Sequence, residues 1–258
     1  MKKMFNYDKF VSKMNESFNS SDSRLLKKID YTLLKPEATE DDIIQLCKKA
    51  DTLGVKSVCV LPKMVKIAAE ELSHSDVLVC TVISFPHGTD STEQKVSECR
   101  KAIADGADEC DMVLDYPKLK ESEESYDDLV NDVSALVDEC HSDRNKDGEK
   151  ITLKVIVESG LLNDRQTDIA THICLDAGAD FIKTSTGMVV GAEIGKVDRM
   201  RKIIKRSGGL DMQIKASGGL RTLADLQKFD SLVDRFGVGF AAVDSIFGED
   251  EKSVGDGY

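Results

Sequence analysis

Two segments place a lysine inside an apolar run and follow it with small or hydroxyl residues: Phe181-Ile182-Lys183-Thr184-Ser185-Thr186-Gly187 and Ile214-Lys215-Ala216-Ser217-Gly218-Gly219. Two more apolar runs are interrupted by charge, at Asp111 in Asp108-Glu109-Cys110-Asp111-Met112-Val113 and at Lys154 in Leu153-Lys154-Val155-Ile156-Val157-Glu158. One such lysine alone reads as a snorkelling side chain or a structural ion pair. Three lysines and a carboxylate interrupting different runs read as a site, because a buried charge is expensive unless it is paired or used. A free lysine, with a pKa of ~10.4, is neutral in only about one molecule in 2,500 at pH 7. A neighbouring cation or desolvation penalises its charged form. A Lys–Lys–Asp cluster therefore offers one neutral amine to attack a carbonyl, one cation to keep it neutral and one carboxylate to move protons.

The elements that would position these groups follow from the periodicity. Short β-branched or apolar runs alternate with longer amphipathic segments. The runs predict strands at Ile29–Leu33, Ser57–Leu61, Val77–Ile83, Glu109–Leu114, Leu153–Val157, Phe181–Thr184, Gln213–Ala216 and Gly237–Ala241. Apolar recurrence at three and four residues, as in Ile43, Leu46, Cys47 and Ala50, predicts helices including Glu40–Leu53, Thr92–Asp105, Asp127–Cys140, Arg165–Ala177 and Gly191–Lys205. Strand–helix alternation implies parallel strands with right-handed crossovers, and eight units predict a closed (β/α)8 TIM barrel. A length of 258 residues suits one such barrel. In this architecture functional side chains project from the C-terminal ends of strands, and phosphate is often held by glycine-rich loops after the last strands. Gly187, the pair Gly218-Gly219 and the Gly237-Val238-Gly239 segment fall in such places, although ordinary turn glycines would look alike. There is no GxGxxG after the first strand, which argues against a dinucleotide fold.

The bulk properties bound the partners. A net charge of −12 argues against nucleic acid, while a small phosphorylated ligand needs only local donors. No run approaches the ~20 apolar residues of a membrane span, and the first residues lack a secretory pattern, so a soluble cytoplasmic protein is expected. Seven scattered cysteines fit reduced thiols, and with four histidines and no CxxC or HExxH no metal site is expected. Residues 1–25 read as a helical extension with Phe5, Phe10, Met14 and Phe18 at near-helical spacing. Residues 26–250 read as the barrel domain and 251–258 as a tail, with Ser142–Lys150 an exposed loop.

At its motifs the chain resembles the deoxyribose-phosphate aldolase family, from about Ile29 to at least Gly239. IDYTLLKPEAT, SVCVLPKMV, TVISFPHG, GADECDMVLDY, LKVIVESGLL, AGADFIKTSTG and IKASGGLRT occur in the family's order. The resemblance implies that Lys183 is the Schiff-base lysine, that Lys215 lowers its proton affinity, and that Asp111 works with an ordered water in proton transfer. It further implies that Asp30, Thr32, Cys59 and Lys154 line the pocket, and that Thr186, Gly187, Gly218, Gly219 and Gly239 lie in sugar- and phosphate-facing loops. The implied reaction is reversible cleavage of 2-deoxy-D-ribose 5-phosphate to acetaldehyde and D-glyceraldehyde 3-phosphate in deoxyribonucleoside catabolism. It needs no cofactor or metal, and it would be carried out by a homodimer or homotetramer.

The chain also departs from the family pattern. Val238, Gly239 and Phe240 stand where members commonly carry small hydroxyl residues, and Met188 stands where some carry a lysine. These departures count against the phosphate site and leave the Schiff base alone. Tyr258 resembles a tail tyrosine that some members fold over the site. Two other readings stay open: a Schiff-base aldolase for another or unphosphorylated aldehyde, and an aldolase-fold binding protein with weak catalysis.

Overall fold

In the computed structural model of the chain, residues 20–208 and 211–247 are described. Among them, α1 (Ser20–Leu26) precedes eight strands: β1 (Ile29–Leu33), β2 (Ser57–Val60), β3 (Leu78–Ile83), β4 (Glu109–Val113), β5 (Thr152–Ile156), β6 (Phe181–Lys183), β7 (Gln213–Ser217) and β8 (Arg235–Gly239). The helices between and after them are α2 (Glu40–Leu53), α3 (Val65–Glu71), α4 (Thr92–Ala104), α5 (Tyr116–Glu121), α6 (Tyr126–His141), α7 (Asp164–Asp176), α8 (Ile194–Arg206), α9 (Leu223–Phe229) and α10 (Phe240–Phe247). All strands pair in parallel in sequence order, and β8 returns to β1 to close the barrel. None of these helices is long and apolar enough to cross a membrane.

Local chemistry explains the helix ends. Thr39 caps α2 by accepting from the Asp42 amide while the Asp42 carboxylate accepts from the Thr39 amide, so two orphan donors are satisfied reciprocally. Gly54, at φ 62°, ends the helix in the left-handed region. The inward stripe of α2, Ile43, Leu46, Cys47, Ala50 and Leu53, is buried against the strands, each large side chain contributing about 1.5–3 kcal/mol of hydrophobic stabilisation.

Alternation along the strands sorts their residues into two populations. Outward residues such as Ile29, Val58, Met112, Val155, Ile182, Ile214 and Phe236 join the apolar layer under the helices. Tyr31 bonds through its hydroxyl to Asp244 of α10, which marks that side of β1 as outward. The opposite side carries charge. Arg235 of β8 bonds to Glu109 of β4, and Lys154 of β5 lies 3.7 Å from Asp30 of β1. These strands are not neighbours, so the contacts can only cross the lumen.

Seven of the predicted strands agree with the observed ones to within a residue at each end. The eighth is a correction. Gly237–Ala241 was the expected strand, whereas β8 spans Arg235–Gly239 and Phe240 already opens α10. An apolar run that passes from strand into helix carries no internal boundary signal. The expected loop at Ser142–Lys150 is there, pinned by one antiparallel bridge between Arg144 and Lys150. Its Lys146 ammonium donates to the carbonyls of Leu72, Ser75 and Val77. The Phe5, Phe10, Met14 and Phe18 stripe and the tail with Tyr258 lie outside the described residues.

Candidate active site

Lys183 is the last residue of β6 and Lys215 the third of β7, and the two are register partners. Both ammonium groups donate to the same oxygen, Asp111 Oδ2, at 2.8 Å and 2.7 Å. Lys154 reaches the other oxygen, Oδ1, at 2.8 Å and also donates to Glu109 Oε2 at 2.7 Å. Lys215 makes a second ion pair with Asp30, whose other oxygen receives Arg235 Nη1 at 2.6 Å. Arg235 in turn grips Glu109 through both terminal nitrogens, at 3.0 Å and 3.1 Å, and its guanidinium lies 5.3 Å from the Phe181 ring centroid. Lys183 differs from its neighbours in two ways. It contacts one carboxylate where Lys154 and Lys215 contact two or more, and it keeps 3% exposure where they have none.

Burial would push the Asp111 carboxyl up, but Lys154, Lys183 and Lys215 outweigh it and hold it well below the usual carboxylate range. Glu109 and Asp30 follow the same pattern: burial opposes ionisation, and Arg235 is the largest opposing influence on each. For Lys215, burial favours the neutral amine, yet Asp111 and Asp30 prevail and keep it protonated above the ordinary lysine range; Lys154 behaves likewise. The lumen is thus a set of fixed charges in a low-dielectric interior, with Lys183 at its open end.

Neutral groups complete the wall. Cys59 lies across from Thr32 in the β1–β2 register. Its sulfur is within 4.8 Å of both the Cys80 sulfur and an Asp111 oxygen. Cys80 donates to Asp111 at 3.2 Å, and Lys154 Nζ sits 3.3 Å from that sulfur. A metal ion bound by Cys59, Cys80 and Asp111 would have to displace this ammonium, so the site is built around amines. Thr32 turns its hydroxyl to the Asp30 carbonyl at 2.9 Å.

The loops above the strands are held by backbone proximity. Gly218, at φ 85°, stands so close to its neighbours that a Cβ there would lie 2.9 Å from Gly191 Cα and 3.3 Å from Gly187 Cα. Only glycine lets the β6 and β7 loops approach in this way. Gly237 has a different duty: a Cβ would fall 3.1 Å from Lys215 Cε, so its absence leaves room for that side chain. Gly219 has φ 75° in the same loop, and Gly239 ends β8 opposite Thr32. Thr186 is fixed by Glu158, whose Oε2 accepts from the Thr186 amide at 3.1 Å and hydroxyl at 2.6 Å.

Of the residues singled out from the sequence, Lys183, Lys215, Asp111, Asp30 and Lys154 form one connected ionic network, with Cys59 beside it. Thr186, Gly187, Gly218 and Gly219 sit on the rim. Thr32, next to last in β1, and Gly239, last in β8, are register partners without a bond to the lysines among the described residues. The sequence reading missed Glu109, Arg235, Cys80 and Glu158. The period-two rule held a signal for two of them: Glu109 is two before Asp111, and Arg235 is two before Gly237, whereas Cys80 sits in an apolar run with no candidate site residue at that spacing. Glu158 depends on a left-handed backbone, φ 49°, that composition does not announce.

Comparison with known proteins agrees with this geometry. The model of the DeoC/LacD family of aldolases matches residues 24–236. A deoxyribose-phosphate aldolase of Treponema denticola is 45% identical over 209 residues, covering 81% of this chain and 91% of that protein. Deoxyribose-phosphate aldolase 1 of Staphylococcus aureus strain MRSA252 is also 45% identical, covering 78% and 86%. Among solved structures, one from Coccidioides immitis superposes with a TM-score of 0.79 at 32% identity, covering 95% of this chain and 97% of the other. The tetrameric deoxyribose phosphate aldolase of Aeropyrum pernix gives 0.73 at 28% identity, covering 92% and 96%. With the family match running from α1 into β8, this chain belongs to the DeoC/LacD family of aldolases.

Proposed function

We propose that the chain is a class I aldolase that reversibly cleaves 2-deoxy-D-ribose 5-phosphate to D-glyceraldehyde 3-phosphate and acetaldehyde, the substrate being the one in its relatives' names. The observation that carries the reading is the sharing of Asp111 Oδ2 by Lys183 and Lys215 at the open end of the lumen. The Lys183 amine adds to the open-chain aldehyde and loses water to give a protonated imine. A base takes the C3 hydroxyl proton, and the C2–C3 electron pair moves toward the imine nitrogen. Glyceraldehyde 3-phosphate leaves as the new aldehyde. The remaining enamine takes a proton at its terminal carbon, and water hydrolyses the imine to free acetaldehyde and Lys183. Asp111, within hydrogen-bond reach of both amines, is suited to relay these protons. Lys215 supplies a permanent cation beside the imine.

Asp30, Thr32, Cys59 and Lys154 belong to the wall that the reacting carbons meet, and the Thr186-Gly187 and Gly218-Gly219 loops to the rim that holds the sugar phosphate. The enzyme works in the cytoplasm as a homodimer or homotetramer, which light scattering at working concentration checks. A preference for unphosphorylated aldehydes is the second reading. Its support is the passage from β8 into α10, where none of Val238, Gly239 and Phe240 carries a hydroxyl side chain.

Borohydride trapping tests the function. Reduction in the presence of deoxyribose 5-phosphate should leave an adduct on Lys183, located by mass spectrometry and absent from Lys183→Ala. An adduct that forms equally well with deoxyribose would favour the second reading. No adduct with any aldehyde would leave an aldolase-fold binding protein.

A further inference from the structure

Outside the barrel, three cysteines from distant parts of the sequence meet. Cys99 comes from α4, Cys110 from the outward face of β4 and Cys140 from the last turn of α6. The Cys99 sulfur is 3.8 Å from that of Cys110 and 3.4 Å from that of Cys140, and all three lie within 4.8 Å of one another. Each is a fully buried thiol. No histidine or carboxylate belongs to the group among the described residues. A lone buried cysteine is a small apolar side chain that needs no further account. Three sulfurs converging from three elements are a set of soft ligands. The lumen offers no such set, because Cys59 and Cys80 supply only two sulfurs and Lys154 Nζ sits 3.3 Å from one of them.

We infer that Cys99, Cys110 and Cys140 form a binding site for trivalent arsenic, taken up as arsenite. Charge and angle both select this class of ligand. A monovalent or divalent ion held by three thiolates leaves a net negative charge in an apolar layer, which is expensive. A trivalent centre with three thiolates is neutral. Zinc would also want a fourth ligand, and the group supplies none. With bonds of about 2.3 Å, the usual length from thiolate to a small ion, sulfurs 3.8 and 3.4 Å apart subtend angles of about 110° and 95° at a shared centre. Such angles suit a pyramidal atom carrying a lone pair and are narrower than those of a planar three-coordinate ion. The site is independent of the Schiff-base reading, because its sulfurs face away from the lumen.

Uptake is a ligand exchange with no change of oxidation state. Three As–O bonds of As(OH)3 break, three As–S bonds form, and the thiol protons leave with the hydroxyls as three waters. Cys110 and, after it, Cys140 bring the Cys99 thiol down to about 5. Its sulfur is therefore the first to attack, and where it is already ionised its proton comes from solvent. Entry lies between α4 and α6. Nearer the start of α4, Thr92 and the buried Lys95 both hold Asp132, at 2.7 Å and 2.6 Å. At the cysteine end the link is Arg100 to Glu139, a surface pair whose arginine side chain is 66% exposed, and such pairs hold weakly. That end is where the two helices part most readily to admit a small neutral solute.

The experiment incubates the reduced protein with excess arsenite and reads it by native mass spectrometry and by X-ray absorption at the arsenic edge. The expected result is a single adduct that gains one arsenic and loses three hydrogens, with three sulfurs and no oxygen around the arsenic. Cys99→Ala and Cys140→Ala, each shown to be folded by circular dichroism, should both lose that three-sulfur adduct. Cys174→Ala removes another buried thiol that lies outside the group, and should keep it. Should one of the first two variants fail to fold, the other carries the test. The inference is overturned by wild-type protein that takes up no arsenic, or by an adduct that keeps a hydroxyl on only two sulfurs. It is equally overturned by a three-sulfur adduct that persists in folded Cys99→Ala or Cys140→Ala, which would place the site among other thiols.

Discussion

The two faces of β4 make opposite use of neighbouring residues. Glu109 and Asp111 point into the lumen and bind Arg235, Lys154, Lys183 and Lys215 across it. Cys110 and Met112, one step along the same strand, point outward into the apolar layer. There Cys110 meets Cys99 of α4, with sulfurs 3.8 Å apart, and Cys99 lies 3.4 Å from Cys140 of α6. The outer face is bound by dispersion and area, forces indifferent to the exact atom and roughly proportional to what is covered. The inner face is bound by paired charges, whose removal leaves a partner stranded without water. Such pairs are weak evidence for stability, because an apolar lumen of equal volume would hold as well or better. Their presence here is explained by chemistry, and the barrel keeps that chemistry from disturbing the shell that holds it together.

The largest effect should come from the inner face. Lys183→Ala should lower kcat for deoxyribose 5-phosphate by about 10⁴-fold or more, because the covalent route is lost. Its circular dichroism should match wild type, since the outer layer is untouched. An alanine variant that keeps a tenth of the wild-type rate would place the nucleophile elsewhere.

Next in size is the pH dependence of stability. Asp30, Glu109 and Asp111 are held below their ordinary ranges by the lumen cations, which outweigh the opposing effect of burial. Carboxyls depressed in the folded state stabilise it fully above their unfolded values, and that stabilisation disappears as pH falls toward the folded ones. The urea midpoint should therefore be nearly level from pH 7 to about 5 and fall steeply below about pH 4. Asp30→Asn should be less stable at pH 7 and should flatten that fall. A parallel curve for Asp30→Asn would mean that acid sensitivity arises outside the lumen.

These contrasts also explain which features could be read from the residues alone. Lys183, Lys215, Lys154 and Asp111 were legible because each interrupts an apolar run, where a charge stands out. Glu109 and Arg235 carry equal weight in the network, yet each opens its strand beside Asp108 or Asp234, where charge passes for the end of a loop. Their partnership spans 126 positions of sequence and exists only once the barrel closes. The helices Val65–Glu71, Leu223–Phe229 and Phe240–Phe247 escaped for another reason: the first two have seven residues and the third eight. Segments that short show two turns at most, too few for a helical period to separate from a strand's. They are helices because the sheet beneath them buries one side.

Leu136 on α6 is fully buried and belongs to the outer layer alone. Leu136→Ala should cost about 2–5 kcal/mol of unfolding free energy, as the cavity adds to the lost transfer energy. The kcat measured well below the new melting temperature should change less than twofold. A large fall in kcat would show that the outer layer transmits strain to the lysines, and the division between the two faces would fail.

The smallest effect is the sharpest test of that division, because it lies one residue from Asp111. Met112 is fully buried and faces outward. Met112→Leu conserves volume, and outward packing asks only for apolar volume in a reachable rotamer, so the loss should stay below about 1.5 kcal/mol. The same strand position shifted by one obeys a different rule. Asp111→Leu also fits the lumen by size, but it removes the acceptor shared by three ammonium groups and should abolish both turnover and the trapped adduct. Urea unfolding and kcat on the two variants give a direct comparison. If Met112→Leu lowers kcat as far as it lowers stability, shape in the outer layer is setting the position of Asp111, and alternation along the strand does not insulate one face from the other.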